Sequence, residues 1–290
     1  MNYFRPEELS QALTWLADNN AGIAAGCTDL LAATDSQYLS KPGKTNLLDI
    51  TAIAELTGIT STSKGISIGG ATRWSEIIAF DLPPAFSGLK AAAREVGSIQ
   101  IQNTGTIGGN LCNASPAADG VPPLLTLDAS VKLESNSGSR FMPLSQFILG
   151  PRQTALEDNE ILVSIEIPNS ALSGKSAFIK LGARKYLVIS IAMVAVRLEL
   201  EEGVIVDIAI CVGSCSAVAK RMESIELALI GRKIDQDIQS QFDPAIIYGN
   251  LKRDLSPIDD IRADANYRIN AAGELIIRAI NQITHEGNSQ

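Results

Sequence analysis

The stretch Asn103-Thr-Gly-Thr-Ile-Gly-Gly-Asn-Leu-Cys-Asn-Ala-Ser-Pro-Ala-Ala-Asp119 places three glycines among small hydroxyl and amide side chains and closes with a carboxylate. Glycine lets the backbone turn through positive φ and approach a ligand closely, so successive N–H groups can point at phosphate oxygens. The stretch therefore predicts a loop that cradles the pyrophosphate of a nucleotide. A glycine-rich turn between two strands is the alternative interpretation of Gly108-Gly109 taken alone.

A second loop of similar character lies near the start of the chain, in Ile23-Ala-Ala-Gly-Cys-Thr-Asp-Leu-Leu31. A helix is predicted before it, because Pro6 suits a first turn and the apolar residues at 9, 12, 13 and 16 share one face. We expect this helix to end near Asn19 and the apolar residues 22–26 to form a buried strand. A polar turn and residues 30–34 then complete a unit typical of nucleotide binding.

Two common phosphate-binding signatures are absent from the sequence. It contains neither G-x-G-x-x-G nor G-x-x-x-x-G-K-S/T. A nicotinamide-binding Rossmann domain and a P-loop ATPase are therefore not expected.

Composition predicts a globular protein rather than a disordered, membrane-inserted or nucleic-acid-binding one. Of the 290 residues 46% are hydrophobic and only 19% are charged, which gives enough apolar surface for two or three domains. The net charge of −8 argues against a nucleic-acid partner. Since no long apolar run and no signal-like N-terminus occurs, we expect a cytoplasmic protein.

Cysteine and histidine usage leaves no candidate for a metal ligand or a catalytic residue. Cys27, Cys112, Cys211 and Cys215 lack C-x-x-C spacing and are interpreted as buried thiols. His285 is the only histidine, which argues against a Ser-His-Asp hydrolase and a histidine-ligated metal. The chemistry must then come from a cofactor.

The order of predicted elements divides the chain into three domains, at residues 1–60, 61–170 and 171–290. The first alternates helix and strand as a small α/β unit, and the second has an α+β pattern. In the third, apolar strands at 192–200 and 204–212 flank a short turn, which predicts a hairpin. Helices are expected at 217–230 and 267–283.

The two loops, Ala-Gly-Cys-Thr-Asp-Leu at 25–30 and Thr-Ile-Gly-Gly-Asn at 106–110, are similar to those of the FAD-binding medium subunit of the molybdenum hydroxylases. This family includes the flavin subunits or domains of xanthine, carbon monoxide and nicotinate dehydrogenases. Further matches cover essentially the whole chain: Phe4-Arg-Pro6, Ile68-Gly-Gly-Ala-Thr72, Gln100-Ile-Gln-Asn103, residues 160–168 and residues 178–185. The resemblance implies an α+β protein with a two-part FAD-binding region, of the vanillyl-alcohol-oxidase type, followed by a C-terminal α+β domain.

The resemblance also implies which residues of this chain hold FAD. The two loops would enclose the pyrophosphate, and Asp119 would accept from a ribityl or neighbouring hydroxyl. Gly97 would lie against the flavin, Leu162 would close an apolar wall, and Lys180 would face the N1/C2 carbonyl edge of the ring. From the residues alone, Lys180 is instead an exposed lysine on a strand edge. The cofactor-binding residues are Ile23, Ala24, Ala25, Gly26, Cys27, Thr28, Asp29, Gly97, Thr106, Ile107, Gly108, Gly109, Asn110, Asp119, Leu162 and Lys180.

Four positions depart from the family pattern. Cys27 stands where many relatives have a glycine, and Gln102 where an arginine is common. Val96 replaces the stacking aromatic of animal relatives, so stacking on the flavin should be aliphatic here. Val188 stands where an aspartate is frequent, in the family's usual loop over the flavin.

The resemblance implies an oxidoreductase subunit that moves electrons and does not itself transform the organic substrate. A large molybdopterin subunit and a small subunit with two 2Fe-2S clusters are the expected partners, in a dimer of heterotrimers, with NAD(P), oxygen or a quinone as acceptor. A self-contained flavin oxidase of the vanillyl-alcohol type is the alternative, against which the absence of an active-site His or Tyr cluster counts. A flavin or nucleotide binder with a regulatory or storage role is a third hypothesis.

Overall fold

The computed structural model describes residues 2–30, 46–234 and 244–285. Its α-helices are α1 (Leu9–Asp18), α2 (Trp74–Ala79), α3 (Ser87–Glu95), α4 (Ile99–Gln102), α5 (Ile107–Asn113), α6 (Val121–Thr126), α7 (Leu144–Phe147), α8 (Glu223–Leu229), α9 (Pro244–Asp254) and α10 (Ala265–His285). Its strands are β1 (Tyr3–Phe4), β2 (Ala21–Ala24), β3 (Asn46–Asp49), β4 (Ile59–Thr62), β5 (Gly65–Gly69), β6 (Ser130–Ser135), β7 (Gly138–Pro143), β8 (Ile148–Gly150), β9 (Gln153–Thr154), β10 (Ile161–Pro168), β11 (Lys175–Leu181), β12 (Ala192–Glu201), β13 (Val204–Gly213) and β14 (Lys220–Arg221).

The residues group into two compact units, each made of separate chain segments. The first unit comprises Met1–Phe80, Ser98–Ala114 and Ala129–Ile167. The second comprises Asp81–Gly97, Ser115–Asp128 and Pro168–Gln290. The division of the sequence into three domains at residues 60 and 170 stays a prediction.

A small parallel sheet begins the first unit, with strand order β1-β3-β2. Helix α1 buries its predicted apolar face at Ala12, Leu13 and Leu16 and ends at Asp18, because Asn19 is extended. The predicted helix end and the strand that follows it are therefore confirmed. Residues 31–34, which were expected to continue this unit, lie outside the described residues.

A five-stranded sheet of order β4-β5-β10-β6-β7 forms the rest of the first unit. Strand β10 is buried at nearly every position, as its apolar sequence predicts for a strand covered on both faces. Its register shifts between Leu162 and Ser164. At this bulge the carbonyl oxygen of Val163 accepts a hydrogen bond from the backbone N–H of Gly70, with an N···O distance of 2.7 Å.

The second unit is built on an antiparallel sheet of order β11-β12-β13-β14, so the predicted hairpin is confirmed. Side chains alternate between its two faces. One face carries Ala192, Val194 and Val196 against helices α8 to α10, and the other carries Phe178, Met193 and Ala195 against α3. The helix predicted at 217–230 begins only at Glu223, because Lys220 and Arg221 pair with β13.

No helix within the described ranges is long and apolar enough to cross a membrane. The same ranges contain no group of three or more His, Cys, Asp or Glu side chains that could hold a metal ion.

Candidate functional site

The two glycine loops meet in the first unit. A Cβ placed on Gly26 would lie 2.2 Å from the carbonyl oxygen of Thr104 and 2.7 Å from Cα of Gly105. No side chain fits at such distances, so the loops touch backbone to backbone. The structure thus brings together the two segments that the sequence marked separately.

The predicted segment 23–29 divides into a packed part and a polar part. Ile23, Ala24 and Ala25 belong to the end of β2 or the residue after it, and they are buried or pack against the core of the first unit. The polar part begins at Gly26. Cys27 adopts φ 54°, a left-handed conformation that glycine accepts with less strain. Burial raises the pKa of its thiol.

The second loop runs into helix α5, which Thr106 caps. Thr106 has extended backbone angles, and its Oγ1 accepts the N–H of Gly109 at 3.1 Å. Gly108 and Gly109 therefore lie in the first turn of a helix. The freedom of glycine to adopt positive φ is not used by Gly105, Gly108 or Gly109, because all three lie outside the left-handed region.

Gly108 and Gly109 have different surroundings in this helix. A Cβ on Gly108 would lie 2.5 Å from the carbonyl oxygen of Gly70, and a Cβ on Gly70 would lie 2.3 Å from the carbonyl oxygen of Leu162. These three residues pack backbone on backbone. A Cβ on Gly109 would meet only one atom of the described residues within 4 Å, the capping Thr106 Oγ1 at 2.8 Å. Gly108 is thus required by the fold, and Gly109 leaves the outer side of the turn open.

Most donors of the first turn of α5 already have protein partners. The N–H of Ile107 donates to Thr72 O at 3.0 Å, and that of Gly108 donates to Gly70 O at 2.9 Å. Thr106 Oγ1 takes the next one. The expected row of N–H groups aimed at a phosphate is therefore wrong for this helix, because carbonyls at the end of β5 accept two of them.

Unused hydrogen-bonding groups lie beside this helix instead. Within the described part of the chain, no group accepts the backbone N–H groups of residues 26–29. The Oδ1 atom of Asn110 is buried and has no donor among the described residues. A buried acceptor without a partner is costly, and a turn of free N–H groups suits an anion. These residues fit a ligand that carries both phosphate oxygens and hydroxyl groups.

The second unit contains a buried ion pair between two of the predicted site residues. Lys180 Nζ donates to Asp119 Oδ2 at 2.7 Å, with the two side chains 8% and 9% exposed. Lys180 shares the Phe178 face of β11, two residues along the strand, and its Nζ also reaches the Glu95 carbonyl at 3.5 Å. The interpretation of Lys180 as an exposed lysine is therefore wrong, since β11 is an edge strand but this face of it is covered.

Asp119 accepts a second hydrogen bond, from Ser190 Oγ to Oδ1 at 3.0 Å. Burial raises the pKa of the Asp119 carboxyl, and Lys180 and Ser190 oppose that rise. Ser190 was not predicted from the sequence. Its only sequence signal is a hydroxyl two residues before an apolar strand, which is too common to assign a role.

The remaining predicted residues have clear structural positions. Gly97 adopts φ 57° just after α3, where a left-handed residue commonly follows a helix end. Leu162 is 5% exposed in β10 of the first unit. Gly97, Asp119 and Lys180 belong to the second unit, and the two glycine loops and Leu162 belong to the first.

Comparison with known proteins identifies this arrangement. Residues 1–170 match the model of the FAD binding domain in molybdopterin dehydrogenase. The chain belongs to this FAD-binding family. Residues 177–283 match the CO dehydrogenase flavoprotein C-terminal domain. The molybdopterin dehydrogenase resemblance drawn from the two loops is thereby confirmed.

Relatives of this FAD-binding chain match it along its length. It is 30% identical to the glyceraldehyde dehydrogenase medium chain of Sulfolobus acidocaldarius, covering 97% of this chain and 98% of that one. It is 28% identical to a putative xanthine dehydrogenase FAD-binding subunit of Escherichia coli, covering 97% and 95%. A carbon monoxide dehydrogenase structure from Hydrogenophaga pseudoflava matches with a TM-score of 0.84 and 28% identity, over 98% of this chain and 97% of that one. The predicted α+β fold, the FAD cofactor and the oxidoreductase class are confirmed.

Proposed function

We propose that this FAD subunit carries electrons within a molybdenum hydroxylase complex. It receives them from a small subunit with two 2Fe-2S clusters and passes them to NAD(P), oxygen or a quinone. A large molybdopterin subunit oxidises the organic substrate, in a dimer of heterotrimers. The observation that carries this proposal is coverage: the chain spans 98% of a relative named as a medium chain, a term that implies larger and smaller partners.

Residues of the first unit hold the nucleotide half of FAD in this proposal. The N–H groups of residues 26–29, which have no acceptor among the described residues, donate to pyrophosphate oxygens. Asn110 Oδ1, buried and without a described donor, accepts from a ligand hydroxyl. The open side of Gly109 admits the phosphate, and the Thr106 hydroxyl lies beside it.

Residues of the second unit act on the flavin ring in this proposal. Gly97 offers a surface without a side chain against the ring. Asp119 accepts from the ribityl chain or a neighbouring hydroxyl. Lys180 has three donors, of which one goes to Asp119 and one points to Glu95 O, so one remains for the N1/C2 edge.

FAD, when bound, supplies the redox chemistry, and its reduction leaves negative charge at N1. The fixed ammonium of Lys180 stabilises that charge. Asp119 offsets part of the ammonium's charge at 2.7 Å, so the pair acts more weakly than a lone lysine. The pair therefore tunes the flavin potential by a modest amount.

Native purification of the tagged chain tests the proposal. We expect two further subunits, with molybdenum and iron in fixed ratio to FAD. The separated FAD-loaded chain should oxidise a reduced nicotinamide with a dye but hydroxylate nothing. Oxidation of an organic substrate by the chain alone would favour the self-contained oxidase, and FAD without any redox partner would favour the binding role.

A further inference from the structure

Ser190 is a buried serine whose hydroxyl bonds a charged side chain. Its side chain is buried, with the residue 2% exposed, and it lies two residues before β12. Its hydroxyl donates to the carboxylate oxygen of Asp119 that Lys180 leaves unused. The two carboxylate oxygens thus have one donor each, from Lys180 of β11 and from Ser190 in the segment that leads into β12.

Two hydrogen bonds hold the backbone next to Ser190, and two more continue from there to the segment of Asp119. Ile191 N donates to Leu181 O at 2.7 Å, which ties the start of β12 to the end of β11. Arg268 Nη1 donates to Ile191 O at 2.6 Å and to Ser214 O at 3.2 Å. Ser214 N in turn donates to Pro116 O at 3.2 Å, three residues before Asp119.

Arg268 therefore connects the two chain segments that carry the cluster. It lies on α10, is 3% exposed, and is itself fixed by Asp260 at 2.7 Å. One guanidinium thus holds the segment of Asp119, through Ser214, and the segment of Ser190, through Ile191. A fork of several N–H donors suits this double contact.

We propose that Ser190 is a positioning residue of the flavin site, which holds Asp119 as the fixed partner of Lys180, with Arg268 as the anchor of both segments. A buried ion pair is stable only when hydrogen bonds satisfy its remaining lone pairs. Without the Ser190 hydroxyl, Asp119 Oδ1 loses its one side-chain donor. This inference rests on the proposed function in one respect, that Lys180 faces the flavin.

The charged groups around Asp119 determine the expected effect of Ser190→Ala. Lys180 faces it from β11 and favours its ionised form, whereas Glu95 faces it from α3 and opposes that form. Removing the Ser190 donor raises the Asp119 pKa further. Over the pH range in which only the variant is protonated, Lys180 keeps an uncompensated positive charge. The midpoint potential of bound FAD should then rise in that range and rejoin the wild-type curve at higher pH.

Potentiometry across pH on the FAD-loaded chain tests this, in the wild type, Ser190→Ala, Asp119→Asn and the double variant. We expect the upward shift in Ser190→Ala and no further shift when it is added to Asp119→Asn, since Ser190 acts through that carboxylate. Ser190→Cys, with a weaker donor of similar size, should fall between. Equal shifts in both backgrounds, or none in either, would overturn the inference.

Ser176→Ala is the matched control. Ser176 is a buried serine in β11 whose hydroxyl bonds the Ala85 carbonyl and the Gly88 N–H, so its loss costs similar stability without touching Asp119. It should leave the potential unchanged. A shift of the midpoint potential in Ser176→Ala as large as that in Ser190→Ala would mean that any destabilising change in this region has the same effect, and it would overturn the inference.

The FAD-free chain separates this inference from the proposed function. Infrared titration of the Asp119 carboxyl, identified by its loss in Asp119→Asn, should show a higher pKa in Ser190→Ala than in the wild type. An unchanged pKa would overturn the positioning role whatever the flavin does. A raised Asp119 pKa in Ser190→Ala, found together with a wild-type chain that cannot bind FAD, would support the positioning role of Ser190 and refute the proposed function.

Discussion

The glycine junction of the first unit and the buried ion pair of the second, which we propose as ligand contacts, are built by opposite means. In the junction, defined by residues 26–29, 70 and 104–110, backbone packs on backbone and glycine excludes side chains. In the ion pair, Lys180 and Asp119 depend on charge, burial and a hydroxyl partner. The junction therefore fixes shape and offers N–H donors, whereas the pair fixes electrostatics. Variants of each should fail in different observables.

Gly26→Ala should have the largest effect, on folding. The new Cβ would lie 2.2 Å from Thr104 O, a backbone atom that cannot rotate away. We expect the free energy of unfolding to fall by about 3 kcal/mol, measured by urea denaturation of the FAD-free chain. Gly249→Ala, a helical glycine with no described atom within 4 Å of its Cβ, is the control and should not destabilise. A stable Gly26→Ala would contradict the contact between the loops.

Gly109→Val should affect FAD retention and leave most of the fold intact. Its side chain displaces the Thr106 cap, at a cost of about 1 kcal/mol, and fills the open side of the turn. We expect FAD affinity to fall by about 100-fold, or about 2.7 kcal/mol, measured by equilibrium titration. Gly108→Val is the matched neighbour and should instead unfold the chain against Gly70. Normal flavin content in Gly109→Val would place the phosphate elsewhere.

Lys180→Met should lower the midpoint potential of bound FAD. Loss of the ammonium removes about 1–3 kcal/mol of stabilisation from the reduced form, which is roughly 20–65 mV for a two-electron couple. Spectroelectrochemical titration measures the shift, and Lys175→Met, an exposed lysine on the same strand, is the control. An unchanged or raised potential would mean that the pair does not face the pyrimidine edge.

Asp260→Asn should have the smallest effect, on the pH dependence of stability around the Arg268 anchor. The backbone N–H of Arg262 is the main cause that lowers the pKa of Asp260, to about 2. Because the pKa of Asp260 is lower in the folded chain than in the unfolded one, its ionised carboxylate stabilises the fold at pH values above the unfolded pKa of about 4. That stabilisation is lost as the pH falls toward about 2. The variant should therefore be less stable at neutral pH and converge with the wild type in acid. Urea denaturation across pH measures this, and exposed Asp81→Asn should follow the wild-type curve.

The sequence predicts the glycine junction better than the ion pair, because the first depends on local patterns and the second on contacts between distant residues. Local patterns predicted α1, the β12–β13 hairpin and both glycine loops, since each depends on neighbours along the chain. The helix start at Gly108 was not predicted, because the Thr106 cap begins a helix where the sequence pattern indicated a loop. Helix α8 begins later than predicted because Lys220 and Arg221 pair with Val212 and Cys211 of β13.

The ion pair depends on contacts that no local pattern encodes. Asp119 meets Lys180 across 61 residues and Ser190 across 71. The resemblance marked Asp119 and Lys180 as ligand residues, yet it did not show that they bind each other. The burial and pairing of these two side chains depend on how α3 packs on the sheet, which only the tertiary structure shows.

The flavin content of the purified chain tests the central claim most directly. We propose that the glycine junction contacts the pyrophosphate of FAD and that the ion pair contacts the flavin ring. Denaturation followed by chromatography should release FAD in equimolar amount from the yellow protein. Release of FMN as the only flavin, which lacks the adenylate half that the junction is assigned to hold, or a folded chain that takes up no flavin when FAD is supplied, would contradict the account.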